Sequence, residues 1–198
     1  MANDGWMLFV DGENLTIRAK ELAQREKLNL GAIPDYYLEN VFVWLPEFST
    51  AVEGVYAFQL FPLGNRRATR AYYYTSVIGD PPKMVDVRQR LRNLGFDPQV
   101  FKRLAGTAKS KGVDIALTKD MLSHAFLDHY QDAVLVAGDG DYLPLVEEVK
   151  RRGKRVYILF FADEGLGLAP EMRLMADLFT DLTPVFVNRW RTREGTSA

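Results

Sequence analysis

The stretch WMLFVDGEN, Trp6 to Asn14, decides the fold class. Five apolar residues, Trp6 to Val10, run without a polar break and stop at Asp11-Gly12. A strand with one solvated face alternates apolar and polar side chains. A continuous run marks a strand buried on both faces, as in a parallel sheet. Leu15 to Leu28 follows, rich in Arg, Ala, Lys, Glu, Gln and Leu, and reads as a helix closed by Gly31. Asp11 then stands at the carboxyl end of a buried strand, where open parallel sheets bind ligands.

Working outward, the same alternation repeats. Pro34-Asp35 opens a predicted helix carrying Tyr37, Val41 and Leu45, and Pro46 stops it. Val55–Leu60 reads as a strand, with Arg66-Arg67 in the loop beyond it, and Ala71–Val77 reads as another. Met84, Val87, Leu91 and Leu94 have helical spacing, with Gly95 as the cap. Pro98–Leu104 predicts a strand, Val113–Leu127 a helix and Ala133–Ala137 a strand. A glycine-flanked turn at 138–141 leads into a helix ending near Arg151. Arg155–Phe161 is a strand, Pro170–Leu178 a helix and Val185–Val187 a last strand. Strands alternating with helices imply parallel crossovers in one sheet, so the fold class is α/β.

The chain has 198 residues, which predicts one domain spanning 1–198, with its core at about 6–182 and a polar tail at 191–198. Lys and Arg total 25 against 26 Asp and Glu, so no global basic field draws a polyanion; a local patch has to do so. The absence of cysteine excludes disulfides, thiolate nucleophiles and cysteine-ligated metals. No segment has the apolar length of a membrane span, and the first residues do not read as a signal peptide. The expectation is a cytoplasmic protein with no membrane partner.

Segments far apart in sequence deliver carboxylates to one sheet edge: Asp11 after the first strand, Asp114 in the first turn of its helix, and Asp139 with Asp141 after 133–137. Singly, each has a plain structural role as a turn residue, an N-cap or a dipole partner. Clustered carboxylates repel one another and require protons or a cation. Hard oxygen ligands favour Mg2+ or Mn2+ over zinc. Lys102, Arg103, Lys109 and Lys111 lie beside Asp114 as a phosphate-positioning edge. Arg66, Arg67 and Arg70 with Tyr72–Tyr74 make a second basic and aromatic region. His124 and His129 lack the spacing of a zinc helix and read as surface or packing residues. Gly106–Gly112 does not match the Walker order, Gly165-Leu166-Gly167 lacks a third glycine, and Asp139-Gly140-Asp141 lacks the other acids of a calcium loop.

Taken in order, Phe9–Asn14, Lys111–Asp114, Gly138–Tyr142 with Pro144, Gly153–Val156, and Leu168–Glu171 with Ala176-Asp177 resemble the NYN domain, in its LabA-like branch of the PIN-like nuclease superfamily. The resemblance covers about 6–182. It implies a PIN-like three-layer fold, a central mainly parallel sheet flanked by helices, and a metal-dependent ribonuclease cutting RNA endonucleolytically with Mg2+ or Mn2+. By that resemblance Asp11, Asp114, Asp139 and Asp141 are the catalytic and metal-binding set, and Asn14 supports them. Ala137 stands where the family often carries Ser, which leaves an RNA-binding or regulatory module without turnover as the alternative. A haloacid-dehalogenase phosphatase also uses Asp-x-Asp after a strand, but early in the chain, where this one has Asp11. Aromatics at Trp44–Phe48 and Trp190, if exposed, offer a homodimer interface.

Overall fold

A computed structural model describes residues 5–48, 50–52, 55–57, 68–104, 106, 111–162 and 165–194. In chain order the elements are β1 (Trp6–Asp11), α1 (Gly12–Glu26), β2 (Tyr37–Leu38), β3 (Phe42–Val43), β4 (Thr50–Val52), β5 (Val55–Ala57), β6 (Ala68–Val77), α2 (Pro81–Asn93) and β7 (Asp97–Lys102). They continue with α3 (Lys111–Phe126), β8 (Asp132–Val136), α4 (Leu143–Arg151), β9 (Arg155–Phe160), α5 (Pro170–Met175), β10 (Leu178–Asp181) and α6 (Thr183–Glu194).

Six strands form one sheet in the order β10-β9-β8-β1-β6-β7, every neighbouring pair parallel. The apolar run of β1 lies at the centre and is buried on both faces. Alternate side chains feed two cores. Trp6, Leu8 and Val10 pack with Leu15, Ala19 and Leu22 of α1 and with Phe186 and Trp190 of α6. Met7 and Phe9 pack with Val113, Leu117 and Met121 of α3 and with Val146 and Val149 of α4. The result is the expected three-layer α/β fold. From β1 the chain builds outward through β6 and β7, then returns to the other side of β1 with β8. The strand order therefore reverses between β1 and β8, and the carboxyl ends of that pair form the crevice where such sheets place ligands.

Three local expectations are corrected. Residues 34–45 form no helix, and Pro46 opens a short 3₁₀ turn, Pro46–Phe48, instead of ending one; β2 and β3 make an antiparallel hairpin, with Asn40 at φ 58° reversing the chain. Five consecutive buried residues, Val41–Leu45, suit that hairpin better than a one-sided helix. The sheet's own side chains hold it, because Tyr73 Oη donates to Val43 O at 2.9 Å and Thr75 Oγ1 donates to Val41 O. Val185–Val187 lies inside α6 rather than in a strand, and the last strand is Leu178–Asp181. Asp181 Oδ1 accepts from Thr183 N at 2.8 Å and Pro184 follows, a helix start with its first N–H groups satisfied. The helix runs on through Trp190, whose ring stacks on Phe186 at 4.5 Å. Trp44 and Trp190 are core residues, at 2% and 0% exposure, so neither offers the homodimer interface expected of them. The predicted strand Val55–Leu60 appears as β5 over Val55–Ala57, paired with β4; its last three residues, and Arg66 and Arg67, lie outside the described residues.

Candidate active site

The crevice is built from the end of β1. Asp11 closes that strand and caps α1, its Oδ1 accepting from Asn14 N at 2.9 Å. An N-cap carboxylate satisfies a free amide of the first turn and meets the positive end of the helix dipole. Asp11 is 1% exposed. The next residue has to be glycine, because a Cβ on Gly12 would stand 2.0 Å from the Tyr73 ring. Asn14 lies one turn into α1 and is buried, and its Oδ1 accepts from Gly138 N at 3.1 Å. That bond adds a side-chain tie just beyond the last ladder pair of β1 and β8, Val10 with Val136.

Across the crevice, the turn after β8 carries Asp139, Asp141 and Tyr142. Asp139 caps a short 3₁₀ turn, Gly140–Tyr142, and its Oδ1 accepts from Asp141 N at 3.2 Å. Tyr142 is buried and points inward. Its hydroxyl lies 2.9 Å from Asp11 Oδ2 and 3.1 Å from Asp114 Oδ1. Asp114 sits in the first turn of α3, as predicted. Burial, then the charges of Asp11 and Asp114, push the Tyr142 hydroxyl far above its ordinary range, so it stays a neutral donor. The phenol has one proton for two carboxylates, which leaves the cluster short of positive charge.

The four predicted aspartates are thus gathered unevenly. Asp11 and Asp114 meet on one hydroxyl. Asp114 and Asp141 line an open cleft of about 370 Å³ with Ile115, Thr118, Lys119 and Tyr142. Asp139 is half-buried and occupied as a turn cap. Among the described residues, no three acidic or histidine side chains stand close enough to share one ion. The donors at the crevice are all hard oxygens, which fit a hard divalent cation. Magnesium does not require three protein ligands, since it keeps several waters and uses one or two carboxylates plus substrate phosphate.

Of the basic residues, Lys102 is exposed at the end of β7. Arg103 is tied to the hairpin, donating to Asn40 O at 3.2 Å. Lys111 opens α3 and Lys109 lies outside the described residues. Lys119, which was not singled out from sequence, is exposed at the cleft beside Asp120. Tyr142 is the main residue that sequence reasoning missed as a functional group. Its signal was an aromatic with a hydroxyl directly after Asp-x-Asp. Tyr73 and Tyr74 of the second aromatic region are core residues.

Fold and crevice define a three-layer α/β protein with an acidic crevice at the reversal of its parallel sheet. The chain belongs to the NYN domain family, whose model matches residues 6–183. NYN domains are PIN-like nucleases, a group that generally uses divalent metals. A crystal structure of a protein of unknown function from Vibrio parahaemolyticus is similar in fold, with a TM-score of 0.57 at 19% identity over 91% of this chain and 94% of that one. No curated protein matches the sequence closely enough to count as a relative.

Proposed function

We propose that the chain is a cytoplasmic, metal-dependent endoribonuclease of the LabA-like branch, a single NYN domain acting on RNA with Mg2+ or Mn2+. The observation that carries this reading is the meeting of Asp11 and Asp114 on the Tyr142 hydroxyl at the sheet's reversal point. Asp11 and Asp114 would hold the ion, with Asp141 across the cleft and Asp139 beside it reached through water. When bound, the ion supplies a water of lowered pKa and neutralises charge on the phosphate. The chain's own residues do the remaining work. Asn14 keeps the mouths of β1 and β8 in register, and Tyr142 holds a proton between two carboxylates. Ile115 and Lys119, one helical turn apart on α3, give the cleft an apolar contact and a cation for an RNA chain. Lys102 and Lys111, with Lys109, would extend that basic edge.

A second reading, an RNA-binding module without turnover, is favoured by two features. The Tyr142 hydroxyl already occupies the space between the carboxylates, and Ala137 provides no side-chain hydroxyl. The two readings separate on one preparation. The nuclease should cut labelled single-stranded RNA in manganese, stop in chelator and lose cleavage on Asp11→Asn. Salt-sensitive RNA binding with no cleavage in either protein would support the module instead.

A further inference from the structure

The chain has only two histidines, His124 and His129, and the fold brings their rings together, tilted by 48° with centroids 5.1 Å apart. They lie at the C-terminal end of α3, at the opposite edge of the sheet from Asp11. The helix closes there in a Schellman turn. Asp128 N donates to Ala125 O at 3.3 Å, and His129 N donates to His124 O at 3.0 Å. That turn brings the third-last helical residue against the second residue beyond the cap. The pair is usually apolar. Here it is two imidazoles, their Nδ1 atoms 2.8 Å apart. The intervening left-handed position, φ 54°, carries Asp128 rather than the customary glycine.

The rings border an open cavity of about 670 Å³, lined also by Met7, Arg70, Tyr72 and Asp97. His124 is held from behind. It stacks on Tyr72 at 5.5 Å, and its Nε2 lies 3.1 Å from the Tyr72 hydroxyl. A hydrogen bond at one ring nitrogen fixes the ring and directs the other nitrogen outward, as in histidines that bind metals. Two imidazoles can share one proton across 2.8 Å. A metal in place of that proton needs the nitrogens about 3.3 Å apart, given Zn–N bonds of about 2.0–2.1 Å and a tetrahedral angle. His129 is exposed and beyond the helix end, so a shift of half an ångström or so is small for it.

We propose that His124 and His129 form a two-imidazole site for a divalent transition metal of the zinc, nickel and copper class, separate from the acidic crevice. Imidazole nitrogens select those metals over magnesium. Water in the cavity completes the coordination. Asp128 lines the same cavity and is held by the buried Lys154 ammonium, so it stands as an outer partner rather than a ligand.

Zinc titrated by calorimetry into the full chain, in wild type, His129→Gln and Asp11→Asn, tests this. With excess magnesium present to fill the acidic crevice, wild type and Asp11→Asn should each bind one zinc at the imidazole pair, while His129→Gln should bind at least about tenfold more weakly. Because the chain has two histidines, nitrogen NMR reads both rings, and zinc should shift both Nδ1 signals. Circular dichroism on His129→Gln checks that the fold is retained. Three results overturn the proposal: no zinc binding by wild type, unchanged binding by His129→Gln, or binding lost in Asp11→Asn and kept in His129→Gln.

Discussion

The Tyr142 hydroxyl stands 2.9 Å from Asp11 Oδ2, joining residues 131 positions apart, and from there it also reaches Asp114 at 3.1 Å. Asp11 Oδ1 already accepts from Asn14 N, so the phenol completes the protein's own neutralisation of a nearly inaccessible carboxylate. A cation at the same two aspartates replaces what one shared proton supplies incompletely.

Tyr142→Phe should therefore separate the two roles of that proton. Without metal, the carboxylates lose a donor, and stability should fall by roughly 1–3 kcal/mol. With manganese, they face a cation without competition from the phenol, so the rise in melting temperature should exceed that of wild type. Thermal melts with and without manganese measure both. A smaller manganese effect in the variant would show that the hydroxyl assists binding rather than competing with it.

Asn14→Ala should damage the crevice without touching a carboxylate. Gly138 N is buried and donates to Asn14 Oδ1, so the substitution orphans an amide at a cost of roughly 1–3 kcal/mol. Urea unfolding measures the loss, and manganese binding should weaken along with it because the turn after β8 loses its tie to α1. An unaltered midpoint would mean that the crevice is held together elsewhere.

Alkaline pH should unfold the chain steeply. Burial first raises Tyr73, Tyr74, Tyr130 and Tyr142 above the ordinary 10.0; Asp120 adds to it at Tyr74, and Asp11 and Asp114 at Tyr142. A raised pKa makes the folded state hold its proton where the unfolded chain releases it. Their contribution is complete below pH 10.0 and is lost as pH rises beyond it. Each contributes a slope of about 1.4 kcal/mol per pH unit above that point. Urea midpoints across the alkaline range measure the summed slope, which Tyr142→Phe should make shallower. Stability that stays level through that range would contradict the burial of these phenols.

The sequence was most readable where one element explains a residue alone. Asp11 follows from an unbroken apolar run and Asp114 from the stripe Val113, Leu117, Met121, so both positions were legible before any contact was known. Tyr142 was not. A tyrosine after a turn most often packs, and what makes this one distinctive is two acceptors supplied by β1 and α3. The hairpin at 37–43 was misread for a related reason: its backbone is satisfied by Tyr73 and Thr75, some thirty residues away. Val185–Val187 looked like a strand from its branched residues, yet the Asp181 and Pro184 start makes it helix. His124 and His129 lack zinc spacing in a helix, and only the turn between them brings the rings together.

On the proposed function, Asp11 and Asp114 together hold a divalent ion. A crystal structure of the chain soaked in manganese tests it most directly, because manganese can be located by its own anomalous scattering. The expected result is an ion bonded to carboxylate oxygens of both Asp11 and Asp114, with the Tyr142 hydroxyl no longer shared between them. A soaked crystal in which Tyr142 still bridges the two carboxylates, with manganese absent or bound to other side chains, would contradict it.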